Sequence, residues 1–165
     1  MKSLQIYTLN KYSDWLKKAH YNFEQYRNTG GVFELADCLL TLNALPEWII
    51  KADTAPDSLR EECKEIIDVM KGKSLDIDPR KLNSSASDKV YHQLRLIRMF
   101  CNHAKHGDPK SSYGQIVIEV IDMSAKFPLK FPVRFEELKA GNEQVNAPDL
   151  ISDILEFWGQ RVDFA

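Results

Sequence analysis

The chain has 165 residues, 44% of them hydrophobic, which is enough apolar material for one buried core and fits a single domain over 1–165. Its 22 Lys and Arg against 24 Asp and Glu leave a formal charge of −2, which excludes a general phosphate-coating surface and makes any nucleic-acid contact local. No run of about 18 consecutive apolar residues occurs and the first residues turn polar quickly, so no membrane span and no secretory leader are expected.

The cysteines, Cys38, Cys63 and Cys101, are isolated and odd in number, which fits a reducing cytoplasm. Ser13 and Asp14 can cap a first helix that carries Trp15, Ala19, Phe23 and Tyr26 at helical spacing and stops at Gly30 and Gly31. A second helix begins near Val32. Its apolar surface, Leu35, Ala36, Leu39, Leu42, Leu45, Trp48 and Ile49, is wide enough to be central, and Pro46 should kink it or break it near Ala44. After a turn from Asp53 to Pro56, Leu59, Cys63, Ile66, Ile67 and Met70 mark a third helix ending at Gly72. The Ser-, Asp- and Pro-rich stretch SLDIDPRKLNSSAS reads as a surface loop, after which Ser87 or Asp88 caps a fourth helix.

Beyond Gly107 the period changes from about 3.6 residues to 2. QIVIEVID is rich in β-branched residues, and KFPLKFPVRFEE alternates Phe127, Leu129, Phe131, Val133 and Phe135 with bases and prolines. The two runs are expected to pair as a β-hairpin through Asp122 to Ala125, its proline-rich strand at an edge or carrying a bulge. Asn146 can cap a last helix with Pro148 in its first turn and Leu150, Ile151, Ile154, Leu155 and Trp158 on one stripe. The expected fold is therefore mainly α, a bundle of four to five helices with a β-hairpin before the C-terminal helix.

The fourth helix carries the segment LRLIRMFCNHAKHG, which concentrates Arg95, Arg98, Asn102, His103, Lys105 and His106. At about 100° per residue, Val90, Leu94, Ile97, Cys101 and Ala104 form a buried stripe with Phe100 at its margin. His92, Arg95, Met99, Asn102, His103 and His106 fall roughly opposite, with Arg98 and Lys105 at a boundary, so the polar cluster is expected to face outward. These residue types suit metal-free RNA cleavage. A histidine titrating near neutrality can move the 2′-hydroxyl or leaving-group proton, an arginine can hold the phosphate bidentately, and an asparagine can orient either. Arg98, Asn102 and His106 stack along one ridge within about 12 Å, and His103 points about 60° away from His106.

Arg98 followed by four residues and His103 resembles the signature of the HEPN family of α-helical proteins, many of which are metal-independent endoribonucleases. That resemblance implies a helical bundle that dimerises so that two copies of the motif meet in one composite cleft. By it, Arg98 and His103 are the catalytic pair; the helical ridge that holds Arg98 and Asn102 instead favours His106, so Asn102 and His106 are read as assisting, and Arg95 and Lys105 on the same segment as binding substrate. The family often has a polar residue after the arginine, where this chain has Met99. The NxxKHG stretch and the upstream LADCLLTLNALPEWI also resemble small bacterial or phage proteins of HEPN-like type. RNA, a second copy of the chain, and an antitoxin or other protein are the partners this implies; no cofactor or metal is required.

Simpler roles account for the same residues. Arg98 can lay its stem over the bundle and pair with an acid such as Asp88 or Glu62. His103, Lys105 and His106 can stabilise the last carbonyls of a helix before Gly107. His103, His106 and Asp108 could hold a divalent ion, although neither an HExxH spacing nor a cysteine cluster supports it. Cys101 faces the core and is expected to pack, as are Trp15, Trp48 and Trp158. The alternation in KFPLKFPVRF suits a half-buried strand better than an RNA surface.

Overall fold

The structure is a computed structural model that describes residues 9–72, 86–106, 118–121, 136–140 and 143–162, with the side chains of 86–88, 103–106, 118–121, 139–140 and 143 outside that description. It is mainly α: α1 (Tyr12–Thr29), α2 (Val32–Lys51), α3 (Asp57–Met70), α4 (Ala86–His106) and, after three short strands, α5 (Ala147–Gly159).

Local chemistry sets the helix ends. The Lys11 N–H donates to the Asp14 carboxylate at 3.1 Å while the Asp14 N–H donates to the Lys11 carbonyl at 3.0 Å, so α1 starts one residue before Ser13. Gly30 closes it at φ 63°, its N–H reaching the Tyr26 carbonyl at 2.7 Å; a left-handed residue at this position is where glycine is favoured. The second helix runs unbroken through Pro46, which is buried, so the alternative of a break near Ala44 does not occur. Apolar packing around Leu42, Leu45 and Ile49, each fully buried, outweighs the one backbone donor that proline lacks. α4 already includes Ser87 and Asp88, so neither precedes it as a cap. The cap of α5 is as expected: Asn146 Oδ1 accepts from the Asp149 N–H at 3.0 Å.

Wide apolar faces on α2 and α5 place the core between the helices. Leu35, Cys38, Leu39, Leu42, Leu45 and Ile49 of α2 meet Leu16, Ala19 and Tyr26 of α1, Cys63 and Ile66 of α3, Leu94 and Ile97 of α4 and Leu150 to Trp158 of α5 in one continuous cluster. Burying each such Leu or Ile contributes roughly 1.5–3 kcal/mol. One polar knot crosses the α1 and α2 interface. Asn22 Nδ2 donates to Thr41 Oγ1 at 3.0 Å and to the Asp37 carbonyl at 3.2 Å, and Lys18 Nζ donates to the same hydroxyl at 2.9 Å. These partners let the buried Asn22 and Thr41 keep their hydrogen bonds away from water.

The strands β1 (Ile118–Ile121), β2 (Glu137–Ala140) and β3 (Glu143–Asn146) form an antiparallel sheet in that order. A hairpin does precede the final helix, but it joins β2 to β3. β1 pairs with β2 in the register Ile118↔Ala140 to Ile121↔Glu137, so its partner lies past the phenylalanine run. The expected hairpin through Asp122 to Ala125 and the alternating run up to Phe135 lie outside the described residues. β3 went unpredicted because GNEQVN is short and polar; it is held by the register Glu137↔Asn146 to Ala140↔Glu143 and by Val145 packing on the core.

Candidate functional site

α4 is enclosed more fully than its sequence suggested. It packs against α2, α3 and α5, and besides Leu94, Ile97, Phe100 and Cys101 it buries Leu96, Met99, His92 and Gln93. The expected outward face is therefore corrected at two positions, His92 and Met99, which are only 2% and 4% exposed. Three neighbouring helices leave α4 little open surface, and polar groups drawn into that space take partners from those helices. Gln93 Nε2 donates to Asp153 of α5 at 2.7 Å, and Lys89, one turn earlier, pairs with the same carboxylate at 2.8 Å. Partial burial raises the Asp153 pKa, but the hydrogen bonds from Lys89 and Gln93 outweigh it and hold the carboxyl below its ordinary value.

The two arginines of the motif point to different helices. The Arg95 guanidinium lies against Gly72 at the end of α3, where a Cβ would come within 2.7 Å of Arg95 Cζ. Gly72 has φ 74°, and its N–H donates to the Val69 carbonyl at 2.9 Å. A cation at the carbonyl end of a helix is electrostatically favourable, so this placement gives Arg95 a structural role on α3. Arg98 turns instead toward α2, where Nη1 lies 3.9 Å from Glu47 Oε1. The pair is loose: the side chains are 24% and 48% exposed, and a contact of that length is held by charge with little directional bonding. Among the described residues Arg98 Nε is buried without a hydrogen-bond partner.

Asn102 follows one turn after Arg98 and is half-buried. The backbone places His103, Lys105 and His106 in the last turn of the same uninterrupted helix, so Arg98 and His106 are separated by about 12 Å along its axis. The side chains of these three, the proposed acceptor Asp88 and the conjectured ion ligand Asp108 lie outside the described residues. Among the described residues no group of three or more His, Cys, Asp or Glu gathers as a metal site. Cys101 fits the packing role: burial pushes its thiol up to about 12 despite the opposing charge of Arg98, which leaves it protonated and without nucleophilic strength at neutral pH.

A cleft of about 510 Å³ opens beside Glu47, between the start of α1 and the end of α2. Tyr12, Ala44, Trp48, Lys51 and Asp53 line it with Glu47. Trp48 is held by Trp15, the two ring centroids lying 4.9 Å apart at 39°. Glu47 thus borders the cleft and pairs with Arg98. Sequence reasoning passed over it because it sits 51 positions before Arg98 on a helix read as core, and the only available signal was a lone acid beside Trp48 on the polar edge of that helix.

Comparison with protein-family models, curated proteins and solved structures finds no match to this chain. Among the described residues no helix is long and apolar enough to cross a membrane.

Proposed function

We propose that the protein is a metal-independent endoribonuclease of HEPN type, acting in the cytoplasm as a homodimer of the kind used in toxin or phage-defence systems. His103 serves as general acid or base, Arg98 holds the scissile phosphate, and Asn102 and His106 assist. The observation that carries the reading is the state of Arg98 on α4. It is partly exposed and, among the described residues, pairs with a carboxylate 3.9 Å away, while Asn102 and both histidines continue along the same helix. A phosphate accepts two parallel N–H bonds from a guanidinium and can displace a partner held so loosely. A protein that restrains this arrangement, such as an antitoxin, would act by covering the end of α4.

A second reading is favoured by the same ion pair and by buried Met99: a non-catalytic HEPN-like module in which Arg98 joins α4 to α2 and the face binds nucleotide, RNA or a protein partner. One experiment separates the two. Purified protein incubated with RNA in excess chelator yields fragments ending in a 2′,3′-cyclic phosphate under the first reading. Arg98→Ala and His103→Ala each abolish them while leaving the circular dichroism spectrum and melting profile near wild type. Cleavage at the wild-type rate in both variants, or no cleavage by a folded wild-type dimer, removes the ribonuclease assignment.

A further inference from the structure

The cleft beside Glu47 has a size and a lining that the cleavage chemistry of α4 does not use. We infer that it is a nucleobase site that prefers guanine; the inference rests on the RNA reading for its ligand class but does not require cleavage. Three observations lead there. First, about 510 Å³ is within the range of small-ligand clefts, roughly 300–1,000 Å³, and large enough for one base with its sugar. Second, two half-buried rings, Tyr12 and Trp48, line it, and Trp48 is fixed against Trp15 at 4.9 Å, so a stacking surface exists before any ligand arrives.

Third, the lining carries Glu47 and Asp53 together with Lys11 and Lys51. A carboxylate only accepts hydrogen bonds. Guanine offers it two adjacent donors, the ring N–H and the exocyclic amino group, one for each oxygen. Adenine sets a ring acceptor beside its amino group, which meets the second oxygen with a lone pair. The lysines supply point charges for the attached phosphate.

Glu47 connects this site to the motif. A guanine edge bound to Glu47 competes with Arg98 for the same carboxylate, which lies 3.9 Å from the guanidinium. Occupation of the cleft therefore frees Arg98 for the neighbouring phosphate, and the preferred cut falls next to a guanosine.

The test is titration of the full-length protein with guanosine, with guanosine, adenosine and cytidine 5′-monophosphates and with inorganic phosphate, followed by tryptophan fluorescence and calorimetry. Guanosine monophosphate gives a saturable signal and binds about tenfold or more tightly than the other nucleotides, the discrimination expected of one bidentate base contact. Asp53→Asn, at an exposed turn that leaves the core intact, and Glu47→Gln each weaken it severalfold, and Lys51→Ala weakens the nucleotide but not guanosine. Equal binding of adenosine and guanosine monophosphates, no saturable signal, or unchanged affinity in both carboxylate variants overturns the inference. The companion assay on RNA keeps the two readings apart. Guanosine monophosphate binding without any RNA cleavage leaves the cleft and removes the ribonuclease; cleavage without base binding or guanosine preference does the reverse.

Discussion

Replacing Gly72 by alanine tests how the end of α3 is joined to the motif helix. Gly72 adopts φ 74°, and its missing side chain makes room for the Arg95 guanidinium. Holding an L-residue in the left-handed region costs about 1–2 kcal/mol, offset by about 0.4–1 kcal/mol from the stiffer unfolded chain. The added methyl also expels the guanidinium from the carbonyl end of α3, a position worth about 0.3–1 kcal/mol. Gly72→Ala is therefore expected to lower stability by about 1–2 kcal/mol, the two costs less the offset from the stiffer unfolded chain. Urea denaturation followed by far-ultraviolet circular dichroism measures it, provided the denaturant slope is unchanged. The decisive comparison is a double-mutant cycle with Arg95→Ala, in which the electrostatic part disappears and a coupling of about 0.5 kcal/mol or more remains. An identical cost in both backgrounds would refute the contact between Arg95 and Gly72; no cost in either would refute the left-handed turn itself.

The thiols of Cys38, Cys63 and Cys101 are buried, and burial is the leading cause that pushes each up to about 12. All three should resist a thiol reagent at pH 8 in the native protein and react together on unfolding, and fast labelling of any one before unfolding contradicts its burial. Because their folded pKa lies above the ordinary value of 9.0, their contribution to stability is complete below pH 9 and is lost as pH rises from 9 toward 12; a stability curve rising over that range contradicts it. Asp153 has the opposite sign: its folded pKa lies below 3.8, so its contribution is present above that pH and is lost as pH falls further. Asp153→Asn should cost about 1 kcal/mol at pH 7 and flatten the acid limb of the stability curve, and an unchanged acid limb would show that Lys89 and Gln93 do not hold the carboxylate.

Helix positions were legible because periodicity and end signals agreed. Gly30, Gly72 and Asn146 stop or start helices where their backbone or side-chain chemistry requires, and Leu94, Ile97 and Cys101 lie on the buried stripe assigned to them. A break at Pro46 did not follow because the cost of one lost hydrogen bond can be read locally, whereas the burial of Leu42, Leu45 and Ile49 around it depends on four other helices. The same blindness to neighbours explains His92 and Met99. A helical wheel assigns one inward direction, but α4 has partners in several, so residues opposite the main stripe are covered by a second contact. Glu47 was invisible for a related reason, since its pairing with Arg98 is set by how α2 and α4 cross. The pairing of Ile118–Ile121 with Glu137–Ala140 was not legible because perfect alternation in KFPLKFPVRF reports a face and does not say which strand lies beside another.

Asn146 ends β3 and caps α5, so strand and helix meet with no loop between them. The neighbouring Ala147 N–H donates to the Glu136 carbonyl at 2.8 Å, which clamps the joint to the residue before β2. Sheet and helix are therefore joined directly, and Asp153, midway along α5, ties that joined unit to Lys89 and Gln93 on α4. A partner that extended the sheet would therefore bear, through α5 and Asp153, on the helix that carries Arg98 and the two histidines. An insertion between Asn146 and Ala147 would uncouple the two ends while leaving every residue of the motif in place.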